Sequence, residues 1–237
     1  MVWNDACVKL TQSKSSNSEE QLVMLIPESC ADLASCSVTS TDGEYWIYPK
    51  ATSGQRVKIY CHNIRTNPKE YITLKYTNTF VEHDPSNFMT RWQTCRTDYK
   101  LPLKSAIFSR VAMNIQDMTV IGSDYTFAVR TGNFKLEFGE AQDCNGYSSM
   151  SGCHRFGNAV INTLGTGLIL DRNAKWGLIN AHKAGIQNFE RSEDGAEISI
   201  TCAGYCGHCG PLSKPLRLIL SSEFVSDKEA RAEVCRM

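Results

Sequence analysis

Thr201-Cys202-Ala203-Gly204-Tyr205-Cys206-Gly207-His208-Cys209-Gly210 places three cysteines and a histidine within eight residues. Thiolates here would hold a metal, and half-cystines would staple an extracellular fold. The C-x3-C-x2-C spacing is that of a three-thiolate iron–sulfur site, but such a site sits early in a barrel of alternating strands and helices, and no such alternation surrounds it. A zinc site would draw on Cys202, Cys206, Cys209 and His208, four soft donors suited to a tetrahedron. His208 and Cys209 are adjacent and make awkward co-ligands, so a fourth donor would have to come from elsewhere in the chain. The simpler alternative is structural: the glycines let the chain turn while the cysteines bridge neighbouring strands.

The other cysteines bear on this choice. The chain has 11, at 7, 30, 36, 61, 95, 144, 153, 202, 206, 209 and 235, spread along 237 residues rather than gathered into paired knuckles. That spread favours a disulfide framework and an oxidising compartment. The odd count leaves at least one thiol free or paired elsewhere. Met1-Val2-Trp3-Asn4-Asp5-Ala6-Cys7 has neither the basic nor the apolar region of a signal peptide, so the residues are expected to be one end of a longer secreted protein. The early apolar run Leu22 to Ile26 is too short to span a bilayer.

Lys plus Arg equals Asp plus Glu at 25 each, which gives no electrostatic footprint for nucleic acid or an anionic membrane. A hydrophobic share of 42% over this length suffices for one large domain or two small ones. No Asn-x-Ser/Thr sequon occurs.

The dominant hydrophobic period is two, the spacing of a half-buried strand. It predicts strands at 44–48, 55–61, 70–76, 107–115, 118–121, 125–130, 135–138, 167–170, 197–202 and 216–220. Asp42-Gly43, Ser53-Gly54, Asn67-Pro68, Thr131-Gly132-Asn133 and Asp194-Gly195 punctuate them. The fold expected is mainly β, a disulfide-stapled sandwich or related β-rich domain with short helices near the termini. Those helices are placed at Glu19 to Ile26, ended by Pro27, at Cys30 to Ser35, and from 227 to about 235. The last follows the capping-box spacing Ser226-Asp227-Lys228-Glu229. Residues 11 to 20, rich in serine, read as a linker.

Catalytic signatures are sparse. Cys153 and His154 adjoin in sequence, whereas a nucleophile and its base are normally brought together by the fold. No G-x-S-x-G elbow, H-E-x-x-H helix or phosphate loop is present. Asp143-Cys144-Asn145-Gly146 begins like a calcium loop, but the twelfth position is His154 rather than glutamate. Glu82-His83-Asp84, followed by Pro85, reads as a polar loop. Tyr45, Trp46, Tyr48, Tyr71 and Tyr76 lie on predicted strands and supply either a binding face or core.

Asp42 to Pro49 and Val57 to Cys61 alternate as a hairpin, and Cys30 upstream is well placed to bridge to Cys61. A Cys144–Cys153 bridge follows from the short loop between them. Partners for Cys202, Cys206 and Cys209 stay open. The hairpin, with its D-G-x-Y-x-I-x-P strand and Y-C strand, resembles the entry of fibrinogen-like domains, but Tyr71-Ile72-Thr73-Leu74 stands where that family has a glycine-rich strand.

From there the chain resembles another family. Ile59-Tyr60-Cys61-His62-Asn63, Thr66 to Leu74, Cys95-Arg96-Thr97-Asp98-Tyr99, Phe108-Ser109-Arg110-Val111, Asn114 to Met118, Asp143-Cys144 with Cys153, Ile161 to Gly167, Lys175-Trp176 and the Cys202 cluster occur in the order of the GON domain. That module ends a subgroup of secreted ADAMTS zinc metalloproteases. The resemblance covers 28–212, with 1–27 as a flanking segment and 213–237 as a terminal strand and short helix. It implies a noncatalytic ancillary domain without a cofactor, in a protein of the extracellular matrix whose parent family cleaves substrates such as proteoglycans and acts in gonad morphogenesis and cell migration. Its implied partners are extracellular-matrix or secretory-pathway proteins. A zinc-binding domain built on Cys202, Cys206 and Cys209 is the alternative.

Overall fold

A computed structural model of the chain describes residues 24–35, 41–83, 103–143, 157–180, 184–204, 207–222, 225, 230–231 and 235–236. The described elements are β1 (Met24–Leu25), α1 (Cys30–Ser35), β2 (Gly43–Ile47), a single 3-10 turn (Lys50–Thr52), β3 (Val57–His62), β4 (Lys69–His83) and β5 (Leu103–Asn114). They continue with β6 (Thr119–Val120), β7 (Ala128–Thr131), β8 (Ala141–Asp143), β9 (Gly157–Asn162), β10 (Leu168–Leu170), β11 (Trp176–Asn180) and β12 (Ala184–Arg191). The last are β13 (Glu197–Gly204), β14 (Gly207–Pro211), β15 (Leu218–Leu220) and β16 (Cys235–Arg236). The fold is mainly β, as the period-two pattern predicts.

The 15-residue β4 is the hub: it pairs with β3, β5, β8 and β9. A register shift between Thr73 and Asn78 breaks its ladder to β5, and this irregularity lets one strand serve two regions of sheet. The path β14-β8-β4-β9-β13 begins and ends on strands that are consecutive in the chain, so the sheet nearly closes on itself. β12 continues the path beyond β13, and β11 beyond β14.

Inside, Phe80, Phe108 and Phe138 meet edge to face at 4.9 to 5.5 Å. Strand alternation sends Phe80, Ala106, Phe108, Ala159, Ile161, Ile198 and Ile200 to this core. β3 shows the same rule, with Val57, Ile59 and Cys61 buried and their neighbours half-buried. A small apolar cavity lies among Leu74, Val111, Ile161, Leu168 and Leu218. The β10–β15 pair helps to wall it.

α1 is set by local capping. Ser29 Oγ accepts from Asp32 N at 3.1 Å while Asp32 Oδ2 accepts from Glu28 N at 2.8 Å. The Cys30–Cys61 disulfide, Cα atoms 5.5 Å apart, ties this helix to β3, and Glu70 Oε1 accepts from Cys30 N at 2.9 Å.

The structure corrects three expectations. Met24 and Leu25 pair with Arg236 and Cys235 as strands, so the apolar run 24–25 is extended rather than helical, and Cys235 does not end a helix. Residues 19–23 and 226–229 lie outside the described residues. Lys135 to Phe138 is not a strand: Phe134 and Phe138 are both buried, Tyr125 Oη donates to Leu136 O at 2.6 Å and Arg130 to Phe134 O at 3.3 Å. Side-chain donors, not a neighbouring ladder, satisfy those carbonyls. In the other direction, β8, β9, β11, β12 and β14 form from segments that carry little period-two signal.

Candidate functional site

Cys202 on β13 and Cys209 on β14 are fully buried and bonded to each other, with Cα atoms 5.9 Å apart. Only two residues separate the two strands, which leave along different stretches of sheet. Cys202 Sγ also lies 3.2 Å from Ala141 O.

This geometry does not favour the zinc alternative. Sulfurs in a disulfide are not thiolates and ligate no zinc. His208, next to Cys209 on a strand, projects to the opposite face. Its Nε2 lies 3.1 Å from Glu140 Oε2, in ion-pair reach though not in hydrogen-bond alignment. Cys206 lies outside the described residues, as do Cys144 and Cys153 and the loop between them. Among the described residues, no group of three or more His, Cys, Asp or Glu side chains is arranged to hold a metal.

Around His208 the sheet gathers a polar cluster. Glu140, 5% exposed, accepts from Lys214 Nζ in a close contact, and its Oε2 accepts from Glu137 N at 3.0 Å. Lys214 Nζ also donates to Glu137 Oε2 at 2.7 Å. Burial works to raise the Glu140 carboxyl, but His208, Lys214 and the Glu137 amide outweigh it and hold the group down to about 2. Burial lowers Lys214, yet Glu137 and Glu140 raise it on balance. Cross-strand register extends the row: His208 faces Gln142, Gln142 faces Glu82, and Glu82 faces Lys104, whose Nζ lies 3.2 Å from Glu82 Oε1. Glu82 is thus a strand residue in an ion pair rather than part of a cation loop. Glu82, Glu137 and Glu140 are each ion-paired to a lysine, an arrangement suited to fixing strand positions.

A second cluster escaped sequence inspection because its members come from separate elements. Arg110 on β5 places its guanidinium carbon 3.9 Å from the Tyr60 ring centroid and 4.8 Å from that of Phe127, and its Nε donates to Thr73 Oγ1 at 2.8 Å. Thr73 donates in turn to Glu44 in a close contact. His62 and Tyr71 pack edge-on against Phe127 at 5.1 and 4.8 Å. Beside them Asp42 Oδ2 meets His62 Nδ1 at 2.9 Å, and Asp42 accepts from Asn63 N at 2.9 Å and Ile64 N at 3.0 Å. Burial pulls Asp42 upward, but the two backbone amides and His62 prevail and hold its carboxyl below the ordinary value. The only sequence signal was the turn at Asp42-Gly43.

The strand aromatics do not make a binding face. Tyr45, Trp46 and Tyr71 are at most 3% exposed and belong to the interior, Tyr48 is half-buried, and Tyr76 stands alone at 48%. Exposed apolar side chains gather instead where sequence reading placed no strand. On β11 and β12, Ile179, Ile186 and Phe189 are 40%, 36% and 42% exposed, and Leu212 beyond β14 is 54% exposed.

Comparison with known proteins agrees with the motif order. The family model described as GON domain matches residues 27–221. A Mus musculus protein, "A disintegrin and metalloproteinase with thrombospondin motifs 20", is 30% identical over 195 residues, covering 77% of this chain and 10% of the relative. Its Homo sapiens namesake is 31% identical over 183 residues, covering 72% and 9%. The Caenorhabditis elegans protein "A disintegrin and metalloproteinase with thrombospondin motifs gon-1" is 27% identical over 198 residues, covering 78% and 9%. The chain therefore spans about a tenth of the length of these relatives. No solved structure matches. With the matched segment running from the residues before α1 through β15, the chain belongs to the GON domain family.

Proposed function

We propose that the chain is a noncatalytic ancillary domain of a secreted extracellular-matrix protein of the metalloprotease type, and that it works by binding other proteins of the matrix or secretory pathway. The observation that carries the reading is the state of the reactive groups around the Cys202 run among the described residues. Cys202 and Cys209 are oxidised to each other, and the buried Glu140 carboxylate is ion-paired to Lys214 and lies beside His208. Such groups hold strands in place and leave exposed surface for recognition. The likeness to one segment of long relatives supports the same view, since protease chemistry in a relative need not reside in the matched tenth.

The chain, purified oxidised, is immobilised and challenged with individually purified matrix and secretory-pathway proteins. Saturable binding lost on reduction and unfolding is expected. Peptide-bond cleavage that co-purifies with the chain, and disappears from a variant of its own residues, would reject the noncatalytic assignment.

A further inference from the structure

We propose that the outer edge of β12 is a docking strand for an extended, uncharged peptide segment of a partner protein, which adds to the sheet as a further strand. The proposal rests on the interaction role above and names its mode of contact.

Among the described residues, β12 pairs with β13 alone. Every residue from Ile186 to Glu190 is exposed, five in succession. In a strand covered on one face, successive residues alternate between buried and exposed. Five exposed in a row mark a margin that solvent reaches on both faces. A Cβ built on Gly185 meets nothing within 4 Å, so another backbone can approach there closely.

The chemistry of the margin selects the occupant. A free edge offers a row of backbone N–H and C=O groups, and their natural complement is another extended backbone. Edge strands are commonly guarded by lysine or proline, yet from Ala184 to Phe189 there is no charge and no proline; Glu190 ends the exposed run, and the one irregularity is the bulge at Gln187. The matching segment is therefore neutral as well. Ile186 and Phe189 face the same way as their buried partners Cys202 and Ile200, so their exposed surface continues the core outward. Trp176 stands 6.2 Å from Phe189 and extends this apolar margin.

The probe is a synthetic peptide copying Ile198 to Gly204 with the change C202S, a neutral sequence that already pairs with β12 from the inner side. Titrated into the oxidised chain, it is expected to bind saturably and to slow amide exchange along β12. Phe189→Lys, which sets a charge on the margin, weakens binding by about tenfold or more, while Phe189→Leu retains it. Ile186→Lys serves as a second blocking variant, with thermal unfolding confirming that each variant folds. No binding at millimolar peptide, protection mapping away from β12, or undiminished binding by both lysine variants overturns the proposal. Self-association through β12, seen by light scattering and abolished by Phe189→Lys, also overturns it, in favour of a second copy as occupant. Matrix-protein capture that both lysine variants leave intact rejects this edge while the interaction role stands.

Discussion

Cys202 and Cys209 are joined to each other across the junction of β13 and β14, at the point where the sheet path returns on itself. Their bond closes a span of only 7 in sequence, against 31 for Cys30–Cys61. Loop-closure entropy then predicts about 2–3 kcal/mol from the short bridge and about 3–4 kcal/mol from the long one. Paired Cys→Ala substitutions, followed by urea unfolding, should rank the long bridge as the more stabilising. Because neither sulfur of the short bridge is a thiolate, chelator treatment of the oxidised wild type should leave the unfolding midpoint unchanged. A midpoint that falls with chelator and recovers with added zinc would contradict the disulfide assignment.

Glu140 carries the clearest pH dependence. Its folded pKa of about 2 lies below the ordinary 4.5, so the ionised carboxylate favours the folded state. The contribution is fully present above about pH 4.5 and is lost as pH falls toward 2, on the order of 2–3 kcal/mol. Asp42, also held low, adds to the same acid loss of stability. Glu140→Gln should flatten the profile between neutral pH and about pH 3 relative to wild type. Lys214→Met removes a partner that is itself 39% exposed, and should cost about 1–3 kcal/mol while moving the acid transition upward. Equal acid midpoints for wild type and Glu140→Gln would show that another group controls the transition.

Arg110 is held by shape as much as by charge. Its planar guanidinium lies against Tyr60 and Phe127 and directs Nε to Thr73, a combination lysine does not reproduce. Arg110→Lys should therefore cost about 1 kcal/mol, and Arg110→Ala somewhat more through lost packing. Denaturant midpoints at low and high salt would check this. Near-equal losses are expected, because a stacked and partly buried contact is weakly screened.

What was legible in the sequence was local. The alternation of Val57, Ile59 and Cys61, the turn at Asp42-Gly43 and the helix at Cys30–Ser35 each follow from neighbours within a few residues. β12 was hidden because Gln187 and Asn188 interrupt its alternation, and its bulge breaks the period that would reveal it. The Glu140–Lys214 contact joins residues 74 apart, and the Arg110–Thr73 bond residues 37 apart. Such pairings follow from sheet order, which hydrophobic period alone does not encode. The strand aromatics were ambiguous for a related reason: alternation says that Tyr45 and Tyr71 share a face with apolar neighbours, but not which face is covered.

Two glycines on strands make opposite predictions and test the sheet order directly. At Gly157, the first residue of β9, a Cβ would lie 2.4 Å from both the carbonyl carbon and the oxygen of Gln142 on β8, and backbone atoms do not swing aside as a side chain does. Gly157→Ala must separate β8 from β9 locally, at a cost of about 1–3 kcal/mol or more. Gly185 on β12 has open space where its Cβ would stand, so Gly185→Ala meets no clash and restricts the unfolded chain. It should be neutral or stabilise by up to about 1 kcal/mol. Urea unfolding of the two variants beside wild type reads both effects. A Gly157→Ala protein as stable as wild type would mean that β8 and β9 do not approach as described.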